Sequence, residues 1–302
     1  MTTYLDGILN SHREAAAADD RPLEALIEEA KAMAPARGFG RALRNASPLG
    51  VIAEVKRRSP SKGDLNVGLD PTTLSQAYVR GGAACCSVLT DEQYFGGSVD
   101  DLQAVRAAVD VPVLRKDFTV SAHDVVDARL MGADCLLLIV AALDDVELAD
   151  FHSLATEIGL DVLIEVHDEA EAERAMKIGG SIVGVNQRDL TTFEVDTERA
   201  IRVAGSLPAD VVRIAESGIG GPDDIASLVE AGFDSVLVGE SLEPTPAQQK
   251  EWLPSSQLPS EAARPSAVET RCPRLSPKNR AARPSAVENN DLGEDLWDHR
   301  CR

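Results

Sequence analysis

The chain has 302 residues, of which 44% are hydrophobic and 4% aromatic, and its net charge is −20. A surface this acidic repels nucleic acid and anionic membrane, so neither is expected as a partner. With so few aromatics the core must be built from Ala, Val, Leu and Ile, the composition of parallel strands covered by helices.

The first fifty residues read as helical. Tyr4, Leu5, Ile8 and Leu9 recur at helical spacing, as do Leu23, Leu26, Ile27 and Ala30, with Asp20 and Pro22 as start signals. Pro35 and Gly38 end that stretch. An alternation of strands and helices follows. Strands are predicted at Val51–Lys56, Cys85–Thr90, Val111–Asp117, Cys135–Val140, Asp161–Val166, Ile182–Asn186, Val211–Ser217 and Ser235–Gly239. Helical patterns lie between them, and Gly132, Gly159, Gly179 and Gly232 fall where helices should stop. Strand–helix repeats imply parallel strands joined by right-handed crossovers, and eight of them fit a closed (β/α)8 TIM barrel. An open doubly wound sheet is the alternative, weakened by the lack of a G-x-G-x-x-G after the first strand.

From Glu243 onward the chain changes character. Eight of its sixteen prolines lie there, and Ala262 to Glu269 recurs as Ala281 to Glu288. Two copies do not make a solenoid. The expected division is a helical extension over 1–50, a barrel over 51–242 and a disordered, Pro-rich tail over 243–302. Cysteines 85, 86, 135, 272 and 301 are odd in number and contain no C-x-x-C, so neither a disulfide framework nor a zinc site is expected. Met1 to Asn10 is neither basic nor apolar enough for a signal peptide, and no run reaches membrane-spanning length, which points to the cytoplasm.

The strand ends carry the chemistry. Glu54 and Lys56 are two apart in an otherwise apolar strand, so both point inward if Ala53 and Val55 point out. The same alternation turns Lys116, Glu165, Asn186 and Glu216 inward at the ends of four other strands, with Arg188 just beyond. Barrels gather their functional groups at that end. Any one of these residues alone reads more readily as a rim residue, but six together do not. Lys56, Arg57, Arg58 and Lys62 form a basic island directly after the first strand, read as a solvated loop or an anion site. Ser217-Gly218 follows the seventh strand and Gly239-Glu240 the eighth, the two loops that commonly hold phosphate in barrels; ordinary turns are the plainer reading. The five histidines carry no assigned role.

Several segments together resemble one family. Ile52-Ala53-Glu54-Val55-Lys56-Arg57-Arg58-Ser59-Pro60-Ser61-Lys62-Gly63, Leu114-Arg115-Lys116-Asp117-Phe118, Ile164-Glu165-Val166, Gly184-Val185-Asn186-Gln187-Arg188-Asp189, Ala215-Glu216-Ser217-Gly218 and Val238-Gly239-Glu240-Ser241 are similar, in order, to indole-3-glycerol phosphate synthase. The resemblance spans residues ~2–242 and implies a carbon–carbon lyase of tryptophan biosynthesis. Its substrate is a small phosphorylated one, a carboxyphenylamino-deoxyribulose phosphate, closed to an indole with loss of carbon dioxide and water. No cofactor or metal is implied, and association with other tryptophan-pathway enzymes is left open. Carried over, Lys116 is the general acid, Glu165 the base with Glu54 as partner, and Lys56 a second proton donor. Asn186 and Glu216 orient hydroxyls or the lysine. Ser59, Ser217, Gly218, Gly239 and Glu240 hold phosphate, Lys56 and Arg188 face the carboxylate, and Phe95, Phe118 and Leu137 wall the ring. A general-acid lysine is expected here to have its pKa lowered by burial or by Lys56. The alternatives are a sugar-phosphate isomerase or Schiff-base aldolase on the same barrel, and a non-catalytic phosphate-binding barrel.

Glu243-Pro244-Thr245-Pro246 interrupts the helix with which the family normally closes its barrel, so lower stability is expected rather than a new activity. Cutting the chain after Leu253 should leave the melting temperature and turnover little changed. A large loss of either would make the tail structural.

Overall fold

The computed structural model describes residues 4–60, 62–189 and 194–239. Ten strands form among them. They are β1 (Gly50–Val55), β2 (Arg58–Ser59), β3 (Gly63–Asp64), β4 (Cys85–Leu89), β5 (Val113–Lys116), β6 (Cys135–Ile139), β7 (Asp161–Val166), β8 (Ile182–Asn186), β9 (Val212–Glu216) and β10 (Ser235–Val238). The helices are α1 (Tyr4–Ala17), α2 (Leu23–Ala32), α3 (Phe39–Asn45), α4 (Pro71–Arg80), α5 (Glu92–Phe95), α6 (Val99–Ala108), α7 (Ala122–Leu130), α8 (Asp145–Glu157), α9 (Glu169–Lys177), α10 (Thr197–Ala204) and α11 (Pro222–Glu230).

Eight strands close into a parallel barrel in the order β1-β10-β9-β8-β7-β6-β5-β4, while β2 and β3 make a small antiparallel hairpin after β1. The ring is sealed by β1 and β10 themselves, from Gly50 opposite Ser235 to Ala53 opposite Val238. The eight predicted strands all form, two with the predicted ends and six with an end shifted by one or two residues. The tail from 243 on lies outside the described residues.

Most helices of the barrel begin where a side chain takes up a free backbone donor. Asp70 accepts from Thr73 ahead of α4, Ser98 from Asp101 ahead of α6, Ser121 from Asp124 ahead of α7 and Asp168 from Glu171 ahead of α9. Asp144 and Glu147 form a reciprocal capping box at α8.

The strand alternation sorts the core into two layers. Val51, Ala53 and Val55 of β1 face outward into the shell between barrel and helices. Ile52 joins Cys85, Leu114, Cys135, Leu163, Ile214 and Leu237 in the barrel interior. Buried Cys85, Cys86 and Cys135 therefore act as small apolar residues.

Two short helices, α5 and α3, were not anticipated. α3 is short and follows Gly38, a position read as the end of a helical stretch. Its Phe39 and Leu43 are fully buried and belong to the interior layer. Gly40 N–H donates to Asp161 at the start of β7 (2.9 Å), which places α3 across the N-terminal end of the barrel as a plug. Emptying such a site removes transfer energy and leaves a cavity, so Phe39→Ala should cost ~3–5 kcal/mol. Denaturant unfolding will measure it, and the fraction that remains folded should keep its turnover, because the plug lies at the end away from the strand tips.

Candidate active site

At the other end of the barrel the inward residues meet around one cavity of about 590 Å³. Glu54, Lys56, Ser59, Phe95, Lys116, Phe118, Leu137, Glu165, Asn186, Arg188, Glu216, Ser217, Gly218 and Gly239 all line it. Of the residues singled out from sequence, Glu240 alone falls outside the described residues. Parallel register brings the polar tips level: Glu165 lies opposite Gly184, and Asn186 opposite Glu216.

Lys116 is the centre of the arrangement. Its Nζ donates to Glu165 Oε2 at 3.1 Å and lies 3.8 Å from Glu216 Oε2. Asn186 Nδ2 donates to the other oxygen of Glu165 at 3.0 Å, and its own Oδ1 accepts the backbone N–H of Arg188. Asn186 thus aims the carboxylate and fixes the start of the Arg188 loop. Across the mouth Lys56 Nζ donates to Glu54 Oε1 at 2.7 Å. Phe95 and Phe118 stand 6.3 Å apart between ring centres, and His12 of α1 packs on Phe118 from behind at 5.4 Å.

Sequence reasoning did not find two supports of this site. A Cβ on Gly184 would sit 1.9 Å from Glu216 Oε1, so only glycine leaves room for that carboxylate. Gln187 is buried. Its side chain donates to Ser217 O at 2.8 Å, and its N–H to Glu216 O at 3.0 Å. Ser217 and Gly218 are consecutive left-handed residues, with φ of 66° and 68°. For serine this backbone costs ~1–3 kcal/mol and persists only where its surroundings impose it. No motif rule flags either support; both became visible only when β8 and β9 were seen side by side.

Two readings change. Only Lys56 and Lys62 of the basic island line the cavity. Arg57 pairs with Asp101 (2.6 Å) and caps Leu69 O, while Arg58 donates to the carbonyls of Glu92 and Gln93. Those two arginines hold the β2–β3 hairpin loop in place. In the loop after β9 the N–H groups of Gly220 and Gly221 are already taken by Asp224 (2.7 and 3.1 Å), while Ser217 and Gly218 line the cavity. The histidines are not all bystanders, since His167 Nε2 lies 3.7 Å from Glu165.

The electrostatics also reverse one expectation. Burial pushes the Lys116 ammonium toward a lower pKa, but the charges of Glu165, Glu216 and Glu54 outweigh it and hold Lys116 above the usual lysine value. Lysine therefore stays charged. Glu165 is lowered, because Lys116, His167 and the Asn186 hydrogen bond overcome its burial. Glu216 goes the other way, to about 8, raised by burial and by the neighbouring carboxylates of Glu165 and Glu54. Near neutrality the mouth thus holds an ammonium, a carboxylate and a carboxylic acid side by side. Neighbouring groups pushed to opposite protonation states are the mark of acid–base work.

A (β/α)8 acid–base enzyme with an anion-accepting rim is the class that fold and mouth define. Solved structures that share the fold include a thiamine phosphate pyrophosphorylase from Pyrococcus furiosus (TM-score 0.51, 17% identity, 69% of this chain and 95% of that one). Another is an N-acetylmannosamine-6-phosphate 2-epimerase from Clostridium perfringens (TM-score 0.50, 15% identity, 66% and 89%). Likeness at that level speaks for the barrel alone. The family model for indole-3-glycerol phosphate synthase matches residues 5–252, and the chain belongs to that family. Similar relatives of that name come from Nocardioides sp. (58% identical, 64% of this chain and 74% of the relative), Polaromonas sp. (48%, 80% and 93%) and Mycobacterium leprae (51%, 80% and 89%).

The raised Glu216 has a consequence for stability. The unfolded chain sheds this proton near 4.5 and the folded one near 8. Its contribution is therefore complete below 4.5 and is lost as pH rises toward 8. Glu216→Gln should flatten the decline of melting temperature across that window. An unchanged decline would show that the carboxyl is not held neutral.

Proposed function

We propose that the chain closes the indole ring of a carboxyphenylamino-deoxyribulose phosphate, with the work divided as follows. The aromatic ring lies against Phe95, Phe118 and Leu137, its carboxylate faces Lys56 and Arg188, and the phosphate meets Ser59, Ser217, Gly218 and Gly239. The ring carbon bearing the carboxylate attacks the ribulose carbonyl carbon. Lys116 gives its proton to the carbonyl oxygen as that bond forms. The carboxylate leaves as carbon dioxide and its electron pair restores the aromatic ring. The new hydroxyl then leaves as water, taking a second proton from Lys56, while Glu165 removes the proton that completes the indole double bond; Lys56 is reprotonated from solvent, the one proton the whole reaction consumes. Proton transfer from Glu165 back to Lys116, along their direct contact, resets the pair for the next turnover. Glu216, as a neutral acid, donates to a substrate oxygen, and Glu54 positions Lys56.

The observation that carries this reading is the Lys116–Glu165 contact of 3.1 Å, buried at the floor of a mouth that can take both an aromatic acid and a phosphate. A lysine held as ammonium carries the proton this step needs, and its raised pKa means it gives that proton only as negative charge develops on the carbonyl oxygen. It is poorly suited to the imine chemistry of the aldolase alternative, which needs a neutral amine.

Residues 1–50 are read as an extension of the barrel, although α3 within it is part of the barrel's filling. Among the described residues no helix is long and apolar enough to cross a membrane. Operation in the cytoplasm, and any association with other enzymes of tryptophan synthesis, belong to this proposal.

A fluorescence assay for indole formation tests it. The parent should turn over, and Lys116→Ala and Glu165→Gln should each lose ~10²–10⁴-fold in kcat, the size expected for a positioned acid or base. Turnover that survives both changes would remove the mechanism.

A further inference from the structure

Glu165 has a second neighbour that the reaction scheme does not use. His167 follows β7 by one residue and lies two positions beyond Glu165, on the same side of the chain. Its Nε2 is 3.7 Å from Glu165 Oε1. Its Nδ1 is 3.0 Å from Glu171 Oε2, and that same oxygen accepts the His167 backbone N–H at 2.8 Å. Glu171 sits in the first turn of α9, so the ring is aimed from a rigid element. Nε2 is buried and has no hydrogen-bond partner among the described residues. The ring does not line the cavity, whereas Glu165 does.

The two nitrogens cannot both be served by a neutral ring. Neutral imidazole has one N–H, and Glu171 takes it at Nδ1. The other nitrogen would then set a bare lone pair against the Glu165 carboxylate. The imidazolium instead gives Glu171 an N–H and turns its positive charge on Glu165, 3.7 Å away and beyond hydrogen-bond reach. Burial disfavours that charge, but Glu171 and Glu165 outweigh it and hold His167 above the usual histidine value, against an opposing push from Arg199 of α10. Lys116 on Oε2, the uncharged Asn186 on Oε1 and the titratable Glu216 of β9, which Glu165 itself raises, complete the surroundings of Glu165.

We infer that His167 is a positioning residue for Glu165: its imidazolium, aimed by Glu171, backs the carboxylate from behind the cavity and keeps it ionised for its task. The inference rests on the reading of Glu165 as the base. It adds a Glu171–His167–Glu165 chain running from the surface of α9 to the reacting group.

The acid limb of the pH profile of kcat/KM reports the free enzyme's essential base. An opposite charge within ~4–6 Å lowers a carboxyl pKa by about 1–3, so removing it in His167→Gln should move that limb upward by about 1 pH unit. Glu171→Gln, which leaves the ring in place but unaimed, should move it the same way by less, and serves if the first variant folds poorly. A limb that stays put in a folded variant would reduce His167 to packing. A second measurement needs no turnover. Titration of the His167 ring by NMR in the full chain should give a pKa above the ordinary histidine value that falls in Glu165→Gln. A ring that titrates alike in both overturns the inference. Absence of product from the parent would overturn the reaction proposed above and leave the ring titration to decide the pairing.

Discussion

The site depends on a lysine that three carboxylates keep charged inside a protein. Burying an ammonium is costly, and burying carboxylates beside it is costly too, unless the geometry pairs them well. The barrel meets that condition by fixing Lys116 and Glu165 on separate strands, 3.1 Å apart, with Asn186 holding the far oxygen of Glu165. The third partner, Glu216, is one carboxylate more than the cation can neutralise. The excess is taken up by protonation, and an acid, a base and a hydrogen-bond donor coexist within a few ångströms. Remove the lysine and two buried carboxylates would face each other without a cation between them.

Everything else in the fold holds that cluster still. Glu54, Lys116, Glu165 and Glu216 come from four strands whose mutual register is set by backbone ladders, not by the side chains themselves. Gly184 provides the space for Glu216, and Gln187 pins the strained turn at Ser217. Beneath them the interior layer is apolar and closed off by Phe39 and Leu43. Stability is concentrated at one end of the barrel and reactivity at the other.

The eight strands were legible because each is a short apolar run bounded by turn residues, and the polar tips were legible because charge interrupts such runs at constant spacing. Both signals are local. Much of what the sequence hid is pairwise across the fold. α3 has too few residues for a clear period, and its reason to be helical is the barrel interior it fills. Arg57 and Arg58 read as a solvated loop or an anion site because their carboxylate and carbonyl partners lie 12 to 44 residues away. The pKa direction of Lys116 was misjudged although Glu54, Glu165 and Glu216 were placed at the same mouth: what decides whether their charge outweighs burial is distance to Nζ, 3.1 Å for Glu165 and 3.8 Å for Glu216, and distance is not a local signal. His167 was passed over because a histidine just past a strand carries no signal until Glu165 and Glu171 are found on its two nitrogens.

The pairing of β1 with β10 also shapes how this chain can change over time. Its eight strand pairings close into a ring between Gly50 and Val238. Insertions downstream, duplications such as the repeated Ala-Ala-Arg-Pro-Ser-Ala-Val-Glu segment, or joining to another coding region interrupt none of those eight strands. A scaffold sealed by its own first and last strands leaves the far end of its gene open to experiment.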